Sequence, residues 1–300
     1  MDNDALVTVE HLTHDYRLGR GFSVRALDDV SLSIRRGEIL GLVGESGSGK
    51  STLGLSVMNL LAPTSGRVIF DGIDTSVRAQ LRRNRRRLSR ERQIIFQDSA
   101  SALNPRMTVR RILEEPLRIH RRLPSGEARE ELLRRQLHYV GVEPHYLESR
   151  PSELSGGQRQ RVSIARALML EPKLVVADEP VASLDVSIQA QIVNLFQHLQ
   201  AEHGFTFLFI AHDLAMVEFL CDRVGVMLRG RLVELAPARE LYLHPAHAYT
   251  RMLLSAMPKP DPRTERLRKA PDSAEILLTG REKWTQVGED HFALLEEGDA

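Results

Sequence analysis

Residues 44–51 read Gly44-Glu45-Ser46-Gly47-Ser48-Gly49-Lys50-Ser51, with Thr52 next. This pattern suits the holding of a phosphate chain. A phosphate needs several backbone N–H groups converging on it, and glycines let the backbone curl closely enough to present them. Lys50 would neutralise charge on the outer phosphates, and Ser51 would ligate Mg²⁺. A flexible Gly/Ser turn needs neither the lysine nor the apolar run Ile39-Leu-Gly-Leu-Val43 ahead of it, nor the helical pattern behind it. A helix starting there adds its dipole to the grip on an anion. The expected ligand is ATP or GTP.

A second constellation is Leu174-Val-Val-Ala-Asp178-Glu179, an apolar run ending in two acids. By itself it is an ordinary surface cap on a strand. Downstream of a phosphate loop it takes on a function: Asp178 at the strand end can reach Mg²⁺, and Glu179 can polarise an attacking water. That pairing points to hydrolysis beyond mere binding. A third is Leu154-Ser155-Gly156-Gly157-Gln158, ahead of the apolar helical run Val162–Met169. Serine and glycine N–H groups gathered at a helix start can hold another face of a phosphate chain.

These residues need elements to position them. Residues 5–43 alternate apolar and polar in short runs broken by Gly37 and Gly41, which is strand chemistry. Ile39–Val43 is apolar throughout, as in a strand buried on both faces. Leu53, Leu55, Val57, Met58 and Leu61 suit a buried helix over 51–61, stopped by Pro63. From about 81 to 170, Arg- and Leu-rich helical patterns dominate, interrupted by Pro105, Pro116, Pro124, Pro144 and Pro151, and an inserted helical subdomain is expected over about 98–170. Strand patterns return at Lys173–Ala177 and Phe205–Ala211. Between them Ile188, Ile192, Leu195, Phe196 and Leu199 fall at helical spacing up to Gly204. After Met257 comes Pro-Lys-Pro-Asp-Pro262 and a mixed-charge tail. The expected division is one domain over 1–257 and an extension over 258–300.

Phosphate loop, LSGGQ and Asp-Glu strand, in that order, resemble the ABC ATPase family over roughly residues 5–257. The resemblance implies an α/β fold: a P-loop NTPase (RecA-like) core, an N-terminal antiparallel β subdomain and the inserted helical subdomain. It also implies roles for single residues. Tyr16 resembles the aromatic that stacks on adenine. Gln97 resembles the glutamine linking Mg²⁺ and water to the transporter contact. Ser183-Leu-Asp185 resembles the loop that couples two ATP sites, and His212 the histidine that contacts the γ-phosphate. In this family the loop at Ser155–Gln158 closes on ATP held by the opposing subunit, so one chain makes half of each site.

Phe96–Val109, Asp185–Gln191, His244–Thr250 and Leu254–Pro262 are similar to the oligopeptide, dipeptide and nickel importer ATPases. That group implies a second ATPase subunit, two membrane permeases, an external binding protein, and a peripheral place on the cytoplasmic face of a bacterial-type inner membrane. Peptide is the expected cargo; nickel or another solute is the alternative. A soluble cassette of phosphonate metabolism, translation or DNA repair is another, though translation types carry two cassettes and repair types a long coiled-coil insert. Ser99 stands where the group commonly has proline. Some relatives hold an iron–sulfur centre on tail cysteines; residues 258–300 contain none, so no cluster is expected.

Composition agrees with this reading. The 300 residues carry 42% hydrophobic and 27% charged residues with a net charge of +1. That balance gives no global case for nucleic acid or an anionic membrane. The run Arg82–Arg92 is read as a solvated face, since no aromatic interleaves it as a base-stacking platform requires. The one cysteine, Cys221, excludes an internal disulfide and fits a reducing compartment. Met-Asp-Asn-Asp at the start leads into no apolar core, which argues against a signal peptide. The most apolar runs fall far short of the ~20 residues that cross a bilayer, so other chains must supply any channel. Lys50→Ala should remove most ATP affinity in a nucleotide-binding titration; unchanged binding would refute the assignment of the loop.

Overall fold

The chain's computed structural model describes residues 4–19, 21–97, 102–182, 184–257 and 278–296. Ser99, Ser183 and residues 258–277 lie outside them.

The period-2 patterns at the N-terminus form two long paired strands, β1 (Ala5–Gly19) and β2 (Phe22–Arg35). They share a four-stranded antiparallel sheet, in the order β2-β1-β4-β5, with β4 (Ser65–Phe70) and β5 (Ile73–Asp74). The apolar run β3 (Ile39–Val43) is buried at every position. It lies in a larger sheet with β6 (Arg92–Ile95), β7 (Leu174–Asp178), β8 (Thr206–Ile210), β9 (Arg223–Leu228), β10 (Arg231–Pro237), β11 (Lys283–Gly288) and β12 (His291–Leu295). Its order is β11-β12-β10-β9-β3-β8-β7-β6. From β9 to β6 all neighbours are parallel.

Burial on both faces explains the unbroken apolar runs. Leu40, Leu42, Leu174, Val176, Leu208 and Ile210 face one core, shared with Leu6, Val9, Val68 and Phe70 of the antiparallel sheet and with Leu53 and Val57. The alternate residues Ile39, Val43, Val175, Ala177, Phe207 and Phe209 face another. There they meet Phe196, whose ring packs edge-on to Phe207 and Phe209 at centroid distances of 5.2 and 5.4 Å. Such aromatic pairs add roughly 0.5–1.5 kcal/mol beyond area burial.

Helix α1 (Lys50–Val57) follows β3 directly, and α2 (Arg78–Glu91) precedes β6. The expected α1 extends to 61, but the helix ends at Val57. Asn59 takes a left-handed φ of 55°, which reverses the chain four residues before Pro63. The described residues 102–170 contain only helices and turns: α3 (Val109–Ile119), α4 (Gly126–Tyr139), two short 3₁₀ turns and α5 (Gly156–Leu168). Leu113, Leu133, Leu137, Val162 and Ile164 fuse them into the same core as Phe196. Beyond β7 runs α6 (Val186–His203), stopped by Gly204 at a left-handed φ of 64° as its position implies. The shorter α7 (Leu214–Leu220), α8 (Ala238–Leu243) and α9 (Ala248–Ser255) follow.

Part of the tail belongs to the sheet. β12 pairs with β10, and Arg35 grips Asp290 at the β11–β12 turn with two hydrogen bonds of 2.8 and 2.9 Å. Within the arginine run, Arg92 donates to Val57 O and Asn59 Oδ1 at 2.8 and 2.7 Å, while Arg87 and Arg90 pair with Glu91. Arg92 thereby ties the start of β6 to the end of α1, and the Glu91 pairs of Arg87 and Arg90 lie in the last turn of α2. Cys221 is buried, and burial pushes its thiol pKa well up, as suits a small hydrophobe.

Candidate active site

Because β3, β8, β7 and β6 are parallel neighbours in register, their carboxyl ends reach one edge together. Leu42 pairs with Ile210, Ile210 with Asp178, and Ile94 with Val176. The segments after them carry, in spatial order, residues 44–51, His212, Asp178-Glu179 and Gln97. In an open α/β sheet this is the edge where ligands bind.

The loop at 44–51 curls over its own lysine. Lys50 Nζ donates to the carbonyls of Gly44 and Glu45, both at 2.8 Å, and lies 3.5 Å from Ser48 Oγ. Two glycines are sterically required. A Cβ on Gly44 would lie 2.2 Å from the Met227 carbonyl oxygen at φ +146°, and one on Gly49 would lie 2.5 Å from the Ala26 oxygen at φ +106°. The Met227 and Ala26 oxygens are backbone atoms, which a rotamer change cannot move aside. The β9–β10 turn also grips the loop, Gly230 N–H donating to Ser48 O at 2.9 Å.

Ser51 Oγ donates to Asp178 Oδ1 at 2.9 Å, bridging 127 residues of sequence. Glu179 is a non-glycine residue at a left-handed φ of 45°, a conformation costing roughly 1–3 kcal/mol. Its N–H is held by Ile210 O at 3.0 Å. The carboxylate meets Gln97, whose Nε2 donates to Oε2 at 3.0 Å, and His212, whose Nδ1 lies 3.4 Å from the same oxygen. A left-handed residue after a strand thus joins two neighbouring strand ends through one carboxylate oxygen.

The charges are poorly screened here. Burial lowers the pKa of Lys50 against the opposing pull of Glu179, Asp178 and Glu45. Burial raises that of Asp178; the Ser51 bond lowers it, Glu179 raises it further and Lys50 lowers it. Two adjacent carboxylates facing one lysine form a site that gains from an added cation.

Tyr16 sits at the rim on β1, 36% exposed, with its hydroxyl 3.4 Å from Thr52 Oγ1. The His14 ring stands edge-on to it at 4.6 Å and 78°, leaving a partly open aromatic surface. The remaining expected residues lie elsewhere. Ser155 and Gln158 form a capping box at the start of α5: Gln158 N donates to Ser155 Oγ at 3.2 Å, and Ser155 N to Gln158 Oε1 at 2.9 Å. Gly156 and Gly157 face Leu184 and Ile188 of the same chain. Among the described residues no hydrogen bond joins 155–158 to 44–51. Asp185 is exposed ahead of α6 and makes no side-chain cap.

One contact to the phosphate loop comes from a residue the sequence reading did not single out as part of the site. Tyr249 Oη, fully buried on α9, accepts a hydrogen bond from Glu45 N at 3.1 Å across 204 residues. Its segment, His244–Thr250, signals only a family likeness; no local spacing ties it to phosphate chemistry.

This combination of sheet order, phosphate loop and strand-end carboxylates defines an ATP-hydrolysing cassette. Residues 27–182 match the family described as ABC transporter, and residues 233–282 match the family described as oligopeptide/dipeptide transporter, C-terminal region. The chain belongs to the ABC transporter family. It is 47% identical over 300 residues to the oligopeptide transport ATP-binding protein OppF of Bacillus subtilis, covering 99% of this chain and 98% of that protein. With OppF of Streptococcus mutans the identity is 44% over 298 residues, covering 98% and 96%. Among solved structures, the dimeric post-hydrolysis state of the ATP-binding cassette MJ0796 bound to ADP and Pi superposes with a TM-score of 0.69 at 32% identity, over 78% of this chain and 99% of that one.

Gly44→Ala should destabilise the fold by on the order of 1–3 kcal/mol in denaturant unfolding and abolish measurable nucleotide binding. Wild-type stability and affinity would contradict the close approach of Met227.

Proposed function

We propose that this chain is the ATP-hydrolysing subunit of a peptide importer, working as half of a paired ATPase. The convergence of Ser51, Asp178, Gln97, Glu179 and His212 on one sheet edge supports the chemistry. The match of residues 233–282 to the oligopeptide/dipeptide transporter region supports the cargo class.

In this reading the amides of Gly44–Ser51 cradle the phosphates, with Thr52 extending the helix start and Tyr16 stacking on the base. Lys50, already oriented by two carbonyls, compensates charge on the outer phosphates. Glu179 takes a proton from the attacking water. Gln97 and His212 hold that carboxylate on two sides, so removing either would misplace it before it weakened binding. His212 is also exposed enough to reach the γ-phosphate.

The residues fit Mg²⁺. Ser51 Oγ and Asp178 Oδ1 are hard oxygen donors 2.9 Å apart, and burial, with Glu179 beside it, raises the Asp178 pKa, so a cation there would favour its ionised form. Since Gln97 gives its N–H to Glu179, its carbonyl oxygen is the end left for metal or water. One carboxylate, a hydroxyl and an amide leave positions for phosphate oxygens and water, as Mg²⁺ prefers. When bound, the ion neutralises phosphate charge and orients the chain for in-line attack.

Ser155–Gln158 are assigned to the ATP of the opposing subunit. Their helix start is folded and capped, yet no described hydrogen bond ties it to this chain's own loop. Closure on ATP and reopening after hydrolysis is the stroke delivered to the partners. Those partners are a second ATPase subunit, two permeases beside Gln97 and the exposed Phe96, and, indirectly, an external binding protein. Among the described residues no helix is long and apolar enough to cross a membrane. In this reading the subunit works peripherally on the cytoplasmic face, beside its permeases. Pull-down of the full chain from detergent extract should recover multispanning permeases with a second ATPase, and a deletion strain should lose peptide uptake. Recovery of only soluble enzymes or ribosomes, with uptake intact, would overturn the assignment.

A further inference from the structure

The phosphate loop is held on one side by a segment that lies outside the match to the nucleotide-binding family. Glu45 is the residue through which this happens. Its carbonyl oxygen accepts from Lys50 Nζ at 2.8 Å and from Ser48 N at 3.1 Å, while its N–H goes to Tyr249 Oη at 3.1 Å. Both ends of the backbone at Glu45 are therefore committed: one to the loop's own lysine, the other to a ring 204 residues away in the chain.

Tyr249 can serve as a fixed post because it is itself over-determined. It is 1% exposed. Its N–H donates to His247 Nδ1 at 3.1 Å. The backbone N–H groups of Ala246 and His247 donate to the two carboxylate oxygens of Glu234 on β10 at 2.8 and 3.0 Å. His291 of β12 binds the same carboxylate through Nε2 at 2.7 Å. Glu234 has no exposed surface, and His247 and His291 are 6% and 4% exposed. A buried polar network so fully paired resists displacement, since breaking one link strands another group without a partner. Burial pushes the Tyr249 hydroxyl pKa up, with the Glu45 bond acting against it, so a neutral phenol faces the loop.

We propose that Tyr249 is a positioning residue for ATP binding: by fixing the Glu45 peptide it holds the 44–51 loop in its phosphate-ready shape before nucleotide arrives. This rests on residues 44–51 being the ATP grip. A loop held in its bound shape loses less entropy when phosphate docks, so the effect falls on affinity. Tyr249 touches neither the water nor Glu179, so the chemical step is unaffected. The segment joining the cassette to its tail then has a stated task, the setting of nucleotide affinity from the far side of the loop.

Tyr249→Phe removes only the hydroxyl and keeps the buried ring. In the full-length chain, titrated with a fluorescent ATP analogue, Kd should rise about three- to tenfold, the span expected for one neutral hydrogen bond. In the assembled ATPase, KM for ATP should rise by the same factor with kcat within about twofold. Tyr242→Phe is the control for structural loss. It deletes a half-buried hydroxyl on the neighbouring α8 that donates to Leu214 O at the start of α7, and it should leave Kd unchanged. Kd for Y249F within twofold of wild type, an equal rise in Y242F, or a fall in kcat with KM unchanged would each overturn the proposal. Lys50→Ala in the same titration separates the two readings. Its loss of binding alongside an unaffected Y249F would reject the role of Tyr249 alone, whereas retained binding would reject the loop assignment and the proposal with it.

Discussion

The parallel register of β3, β8, β7 and β6 is the constraint on which everything else depends. Four strands from distant parts of the chain end at one edge, so four short segments meet there with no long connecting device. β8 lies between the phosphate-loop strand and the Asp178 strand. This places His212 between them and lets Glu179 bridge toward Gln97. Burial of both sheet faces keeps the register: a slip by one residue would exchange Leu40 and Leu42 with Ile39 and Val43 between two differently shaped cores.

Electrostatics supplies the second half of the logic. Glu45, Asp178 and Glu179 surround one buried lysine, whose pKa falls because burial outweighs their pull. A triphosphate with its metal changes that balance on both sides at once, since phosphate charge suits Lys50 and metal charge suits Asp178. The loop must be shaped for this in advance. Gly44 and Gly49 admit backbone oxygens too close for any Cβ, and Lys50, Gly230 and Tyr249 hold the curl from three directions.

Much of this was legible in the residues. The phosphate loop, the Asp178–Glu179 strand end and the capped helix start at Ser155 are local patterns whose chemistry dictates their spacing. Gln97 and His212 were legible only through family resemblance, because a lone glutamine or histidine at a strand end carries no spacing of its own; the hydrogen bond and the ring contact to Glu179 give them a physical partner. The end of α1 at Val57 was not legible. Pro63 looked like the stop, but a left-handed Asn59 is a backbone choice that composition does not announce. Tyr249 was invisible as a site residue for a different reason: its link to Glu45 exists only after α9 has docked beside the loop. The β11–β12 hairpin escaped as well, since β11 is exposed along nearly its whole length and β12 is a five-residue, mostly apolar run, so neither presents an alternation to read.

A chain that holds half of each ATP site must pair to hydrolyse. Sedimentation of the full-length Glu179→Gln variant with its companion cassette, in ATP and Mg²⁺, tests it most directly. A stable ATP-dependent dimer of cassettes with hydrolysis nearly lost is expected, as is dissociation of that dimer when Ser155→Arg is added while ATP binding persists. Near-normal turnover by Glu179→Gln, or a dimer indifferent to both ATP and Ser155→Arg, would contradict it.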